Sequence, residues 1–264
     1  MLAAALLVVG ASAILLPLLM TKAEIEQDAA EYEQLREQAK AVTEGANPSS
    51  KGISQPFDVP LAQPPDAASP SVTQHTNVDL AACTATNADF IAWLQIPNTT
   101  VDYPVVWSDD TDYYLNHTFT GKKSYIGTLF SLEKTDYRTP SQNIAIYGHH
   151  IRSNNAVMFS PLLAYKEQSF YEEHKTVYLD TLYHSGTYTV FAVVNMRYGD
   201  WEPSTPDFSN SEVFLAFVAR AKAQALYDTG VEVQASDQIL TLITCDRSYG
   251  GKSGRLIVMA VNNQ

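Results

Sequence analysis

Between Val101 and Val261 the chain breaks into seven short runs rich in Val, Ile, Tyr, Thr and Phe, separated by turn-forming residues. The runs are Val101–Trp107, Tyr125–Leu132, Asn143–His149, Thr176–Leu182, Thr187–Met196, Gln238–Cys245 and Arg255–Val261. Such β-branched and aromatic runs, often alternating with small or polar residues, predict strands. Only two helical patterns interrupt them. Asp110–Asn116 is short. Ser209–Tyr227 is long, opens with a capping box (Ser209 with Glu212), and places Val213, Phe214, Phe217, Val218 and Ala221 at helical spacing, with Gly230 as its stop. Upstream, Asn87 is read as the cap of a short helix, ADFIAWL, before Ile96-Pro97-Asn98 turns the chain into the first strand. Strands this numerous, without a helix after each, predict a mixed β-barrel with inserted helices, not a doubly wound sheet.

The N-terminal third has a different character. Leu2 to Met20 is uncharged and apolar, close to the ~20 residues that span a bilayer as a helix. It is longer than the apolar core of a secretory signal and is followed by no small-x-small cleavage site. Residues 1–21 are therefore predicted to be a transmembrane signal anchor. Residues 22–44 follow as a helical segment whose Ile25, Ala29, Tyr32 and Leu35 make one thin apolar stripe. The stripe fits either a stalk or a helix laid against the domain. Residues 45–86, with Pro48, Pro56, Pro60, Pro64, Pro65 and Pro70 among Ser, Gln, Ala and Asn, are predicted to be a linker. The folded domain is placed at 87–264.

Charge and cysteine content narrow the function. A formal net charge of −12 with no basic stripe argues against a nucleic-acid partner. The two cysteines, Cys83 and Cys245, cannot build a disulfide framework. Cys83 lies at the linker's end with no basic neighbour and reads as an inert thiol, whereas Cys245 ends a strand.

Three strand ends carry reactive groups. NIAIYGHH runs into His149 and His150, QILTLITC ends on Cys245, and GRLIVMAV opens with Arg255. A glycine-rich loop, DRSYGGKSG, joins the last two, so they can pair as a hairpin with Cys245 and Arg255 at one end. A cysteine nucleophile needs a thiolate, and a free thiol near pKa 8.5 is mostly protonated at neutral pH. Imidazole and guanidinium neighbours both favour the thiolate; His can move protons and Arg can hold charge on an attacked carbonyl. Each residue also has a bland reading: a strand Cys is commonly a buried hydrophobe, and an Arg at a strand start a solvated edge. Adjacent histidines on a strand face opposite ways, and neither CxxC nor HxxxH accompanies them, so no metal and no cofactor is expected.

Trp93 to Phe130 (WLQIPNTTVDYPVVWSDDTDYYLNHTFTGKKSYIGTLF), NIAIYGHH, TLITC and GRLIV, in that order, resemble the class B sortases. The resemblance extends from about Asn87 to the C-terminus and includes a long helix between the histidine and cysteine strands. It implies an eight-stranded barrel tethered by an N-terminal membrane helix, outside the cell membrane of a Gram-positive bacterium. It also implies a thiol-protease-like chemistry used for transpeptidation. Cys245 would cleave a C-terminal sorting motif after its threonine and hold the acyl part as a thioester. His149, next to Gly148, would be the acid and base, and Arg255 would bind the oxyanion or position the substrate backbone. The acceptor would be an amine of a peptidoglycan precursor, anchoring surface proteins to the wall, or a pilin lysine in pilus-building members. Leu115 matches a residue lining the motif groove. Thr111 stands where the pattern often has Asn, and Ile243 where it often has Ser; Ile243 and Asp246 are further groove candidates.

Other readings fit less well. An L,D-transpeptidase has its arginine almost directly after the cysteine, in an SHGC-type motif, and a papain-like hydrolase has its cysteine early and on a helix. A non-catalytic surface binding module predicts no reactive thiol.

Overall fold

The computed structural model describes residues 22–40, 74–110, 112–132, 140–249 and 251–262. The predicted anchor and most of the predicted linker lie outside these residues, and no helix among the described residues is long and apolar enough to cross a membrane.

Eight strands close into a barrel: β1 (Phe90–Gln95), β2 (Asp102–Trp107), β3 (Leu129–Ser131), β4 (Asn143–Tyr147), β5 (Thr176–Asp180), β6 (Ser185–Arg197), β7 (Ile239–Cys245) and β8 (Gly254–Asn262). Around the barrel they run β1-β2-β3-β4-β7-β8-β6-β5. The β2–β3 and β4–β7 pairs are parallel and the remaining pairs antiparallel, so the barrel is mixed. Closure gives every strand a hydrogen-bonded neighbour on each side.

β1 departs from the expected helix ADFIAWL. Ala92, Trp93 and Leu94 are all fully buried, and the segment pairs with β2 on one side and β5 on the other. A short run buried on both faces has no period to tell strand from helix. Asn87, read as an N-cap, instead ends a helix, α2 (Leu80–Thr86), which forms inside the predicted linker. Asp79 caps α2 by accepting a hydrogen bond from the Ala82 amide, and Leu80 and Cys83 are buried. The segment before α2 is tied down by fully buried Asp180, which accepts from the His75 and Thr76 amides and from Thr76 Oγ1. The predicted helix at Asp110–Asn116 is a run of turns where it is described.

Residues 22–40 form α1, and its stripe docks on the barrel. Ile25, Tyr32 and Ala39 are buried, Ala29 and Leu35 pack beside them, and Lys40 reaches Asp102 on β2 at 2.7 Å. Of the stalk and docking alternatives, docking is what the structure contains.

Strand alternation divides the apolar residues between two faces. Leu240 and Leu242 of β7, with Leu256, Val258 and Ala260 of β8, fill the barrel interior. Ile239 and Ile243, with Ile257, Met259 and Val261, point outward. There they are covered by Phe214, Phe217, Val218 and Ala221 of α4 (Ser211–Gln224), the helix after the short α3 (Gln168–Glu173). The α4 cap is Asn210, whose side chain accepts from the Val213 amide, one residue beyond the expected Ser209.

Candidate active site

The three reactive strand ends meet at one end of the barrel. In the antiparallel β7–β8 pair, Cys245 and Arg255 are direct partners. Directly opposed residues share a face, and the outward set of each strand continues to these two positions. β4 lies on the other side of β7 in parallel, with Tyr147 level with Ile243. The ladder runs past the end of β4. The Gly148 amide donates to the Ile243 carbonyl at 3.1 Å, and Thr244 Oγ1 donates to the Gly148 carbonyl at 2.8 Å. His149 is therefore level with Cys245, and the alternation of Ile144 and Ile146 inward, Ala145 outward, places it on the outer face as well.

Gly148 makes this arrangement possible. A Cβ there would come within 2.4 Å of Leu129 and 2.7 Å of Phe159, both interior residues, so only glycine fits between the strand and the histidines. Gly254 is required in the same way before Arg255, because a Cβ would sit 1.5 Å from the Tyr249 carbonyl oxygen and 2.1 Å from that of Asp246. Asp246, Tyr249 and Gly254 thus pack tightly together, with the Asp246 amide donating to the Gly254 carbonyl at 3.0 Å.

The two histidines are held differently. His149 Nε2 lies 2.9 Å from the Leu115 carbonyl oxygen. A carbonyl only accepts, so Nε2 carries the proton and Nδ1 is left as the nitrogen free to exchange one. Burial lowers the His149 pKa below the ordinary imidazole range, the Leu115 hydrogen bond partly opposes that, and the Arg247 charge adds to the lowering. His150 turns the other way. Its Nδ1 donates to the Cys245 backbone carbonyl at 3.0 Å, bracing the chain at the thiol.

Arg255 is half-buried, with its guanidinium 5.6 Å from the ring centroid of Tyr198. Its Nη1 donates to the carbonyls of Gly254 and Lys252 at 3.0 and 3.2 Å. A guanidinium held over an aromatic ring and through one terminal nitrogen keeps its remaining donors for negative charge.

The sequence-derived groove residues have mixed positions. Leu115 is half-buried, and its carbonyl serves His149. Ile243 is buried in the outer cluster under α4. Asp246 is buried too: its carboxylate accepts from Lys166 Nζ at 2.8 Å and from the Ser248 amide at 3.0 Å. Burial alone would raise the Asp246 pKa, but these bonds and the Lys166 charge outweigh it and hold the carboxyl below its usual range. Thr111 lies outside the described residues.

Lys166, Arg247 and Tyr198 are the residues sequence reasoning missed. Lys166 is 80 positions from Asp246, and nothing in its neighbourhood signals the contact. With His150, Arg152 and Asp246, Lys166 and Arg247 border a cleft of about 470 Å³ beside the cysteine. A second hollow, of about 320 Å³, opens among Ile144, Leu179, Tyr188 and Gln238. Ile144 and Gln238 lie at the opposite ends of the β4 and β7 runs from His149 and Cys245, so this hollow is remote from the thiol.

Comparison with known proteins gives the family to which this barrel belongs. The sortase domain family matches residues 94–263. Sortase B of Listeria monocytogenes is 30% identical over 197 residues, covering 73% of this chain and 77% of that protein. Sortase B of Staphylococcus aureus is 29% identical over 187 residues, covering 71% and 75%. Among solved structures, a Staphylococcus aureus sortase B–substrate complex superposes with a TM-score of 0.73 at 23% identity, covering 91% of this chain and 98% of that one. Clostridium perfringens sortase B gives 0.64 at 30% identity, covering 70% and 99%. A mixed eight-stranded barrel whose reactive groups stand on three neighbouring strands, joined to these likenesses over most of the chain, places the protein in the sortase family of transpeptidases, in class B.

Proposed function

We propose that this transpeptidase cleaves a C-terminal sorting motif after its threonine and transfers the acyl fragment to an amine of the peptidoglycan precursor, with Cys245 as nucleophile. The observation that carries the reading is the shared outer face of His149, Cys245 and Arg255 across β4, β7 and β8. The Cys245 thiol passes its proton to His149 Nδ1, the resulting thiolate attacks the threonyl carbonyl carbon, and the developing oxyanion meets the Arg255 guanidinium. The C–N bond breaks as protonated His149 gives its Nδ1 proton to the departing amine, leaving a thioester. The acceptor amine then attacks the thioester. His149 takes the amine's proton, the C–S bond breaks, and the thiolate returns.

The same reading places the enzyme at the cell membrane. The apolar run Leu2 to Met20 serves as a single-pass anchor and holds the barrel outside, with α1 docked directly after it. This placement suits surface proteins bearing sorting motifs as donors and a wall precursor as acceptor.

The test is transfer of a quenched fluorescent sorting peptide onto an amine acceptor. Cys245→Ala should abolish both cleavage and transfer while circular dichroism and the melting temperature stay near those of the parent. Residual transfer within tenfold of the parent would refute the assignment.

A further inference from the structure

α1 is more than a cover for the barrel wall, because its contacts converge on one loop. Tyr32, 2% exposed, donates its hydroxyl to the Gly127 carbonyl at 2.8 Å and accepts from the Phe119 amide at 3.0 Å. Asp28, also buried, accepts from Lys122 Nζ at 2.9 Å and Ser124 Oγ at 2.6 Å. Glu31 accepts from Thr118 and Thr120 hydroxyls at 3.1 and 2.6 Å. All of these partners lie between residues 118 and 127.

The far side of the same loop touches the active site. The Thr128 amide donates to the Tyr114 carbonyl at 2.9 Å, and Thr128 Oγ1 donates to the His117 carbonyl at 2.9 Å. Gly127, at φ +62°, lies so close to residues 114 and 115 that a Cβ would be 2.5 Å from the Tyr114 oxygen and 2.9 Å from the Leu115 oxygen. That Leu115 oxygen is the one that accepts from His149 Nε2. The path from Tyr32 to His149 is therefore a hydrogen bond to the Gly127 carbonyl, the Thr128 amide bond to the Tyr114 carbonyl with Gly127 packed close against residues 114 and 115, and the Leu115 carbonyl bond to His149 Nε2. Hydrogen-bonding groups buried in this way are costly to leave unpaired, so each contact that α1 makes helps hold this loop in place.

We propose that Tyr32 is a positioning residue for transfer: by clamping the loop at Gly127 it fixes the Leu115 carbonyl, which in turn sets the tautomer and orientation of His149. The helix that follows the N-terminal apolar run is then a working part of the active site. This inference rests on the reading of His149 as the acid and base. It is separable from that reading, because the tautomer of His149 can be observed whether or not the residue is catalytic.

The experiment uses the full-length chain in detergent micelles, labelled with ¹⁵N-histidine, and long-range ¹H–¹⁵N spectra at pH 7. The His149 signal is assigned from its loss in His149→Gln. The parent should show His149 as the neutral Nε2–H tautomer, consistent with the lowered pKa of this buried ring. Tyr32→Phe should mix the two tautomers and lower kcat about tenfold, a fraction of the ~10²–10⁴ that acid–base help supplies. Asp28→Asn grips the same loop by another route and should act in the same direction, which covers any folding failure of the first variant. Lys40→Met removes the α1 contact to Asp102 on β2, away from this loop; it should lower the melting temperature and leave kcat and the tautomer unchanged. A retained Nε2–H tautomer in both Tyr32→Phe and Asp28→Asn overturns the proposal whatever kcat does. So does an equal loss of kcat in Lys40→Met and Tyr32→Phe. Mixed tautomers with unchanged kcat overturn it too, and His149→Ala then shows whether the reading of His149 fails with it.

Discussion

The chain contains two cysteines in opposite surroundings, and the contrast locates the chemistry. Cys83 sits on α2, buried among interior apolar residues, with Asp79 as its nearby charge. Burial pushes its thiol up to about 12, and Asp79 adds to the shift, so it is a thiol at any physiological pH. Cys245 ends β7, is half-exposed, and shares a face with an imidazole on one neighbouring strand and a guanidinium on the other. The residue type is the same, and the difference lies in which strand ends the barrel closure brings together.

The largest expected effect separates the two histidines beside Cys245. His149→Ala should lower kcat/KM for transfer by ~10²–10⁴-fold, roughly 3–5 kcal/mol of barrier, because it removes the proton carrier. Arg255→Lys keeps the charge but loses the planar fork held over Tyr198, and should cost on the order of a hundredfold in kcat. His150→Ala removes only the bond to the Cys245 carbonyl and should cost about tenfold or less. Steady-state transfer of the fluorescent peptide reads all three, and equal mild losses for both histidines would break the contrast at its centre. Cys83→Ala should leave kcat unchanged and lower stability by about 1 kcal/mol, as for a small buried side chain, measured by urea unfolding.

Much of this arrangement was legible in the residues. Strands β4, β7 and β8 carry strong β-branched patterns, and Gly148 and the 246–254 loop marked their ends. The parts that were not legible share a physical cause, since their signal lies in distant partners. β1 looks helical because Ala92, Trp93 and Leu94 are buried on both faces, so no alternation survives. α2 emerges from a proline-rich stretch because Asp180, about a hundred positions away, anchors His75 and Thr76. The stripe on α1 was visible, but its docking depends on Gly127, Thr128 and Lys122. Asp246 reads as a groove residue from its place after Cys245, and only the fold reveals that Lys166 turns it inward.

The contrast between the two thiols is tested most directly by labelling. The folded full-length chain, treated with a methanethiosulfonate reagent at neutral pH and mapped by peptide mass spectrometry, should carry one label on Cys245. Loss of transfer activity should track that label one for one, with Cys83 unmodified until the protein is unfolded. Labelling of Cys83 in the folded chain, or full activity with Cys245 modified, would contradict the account.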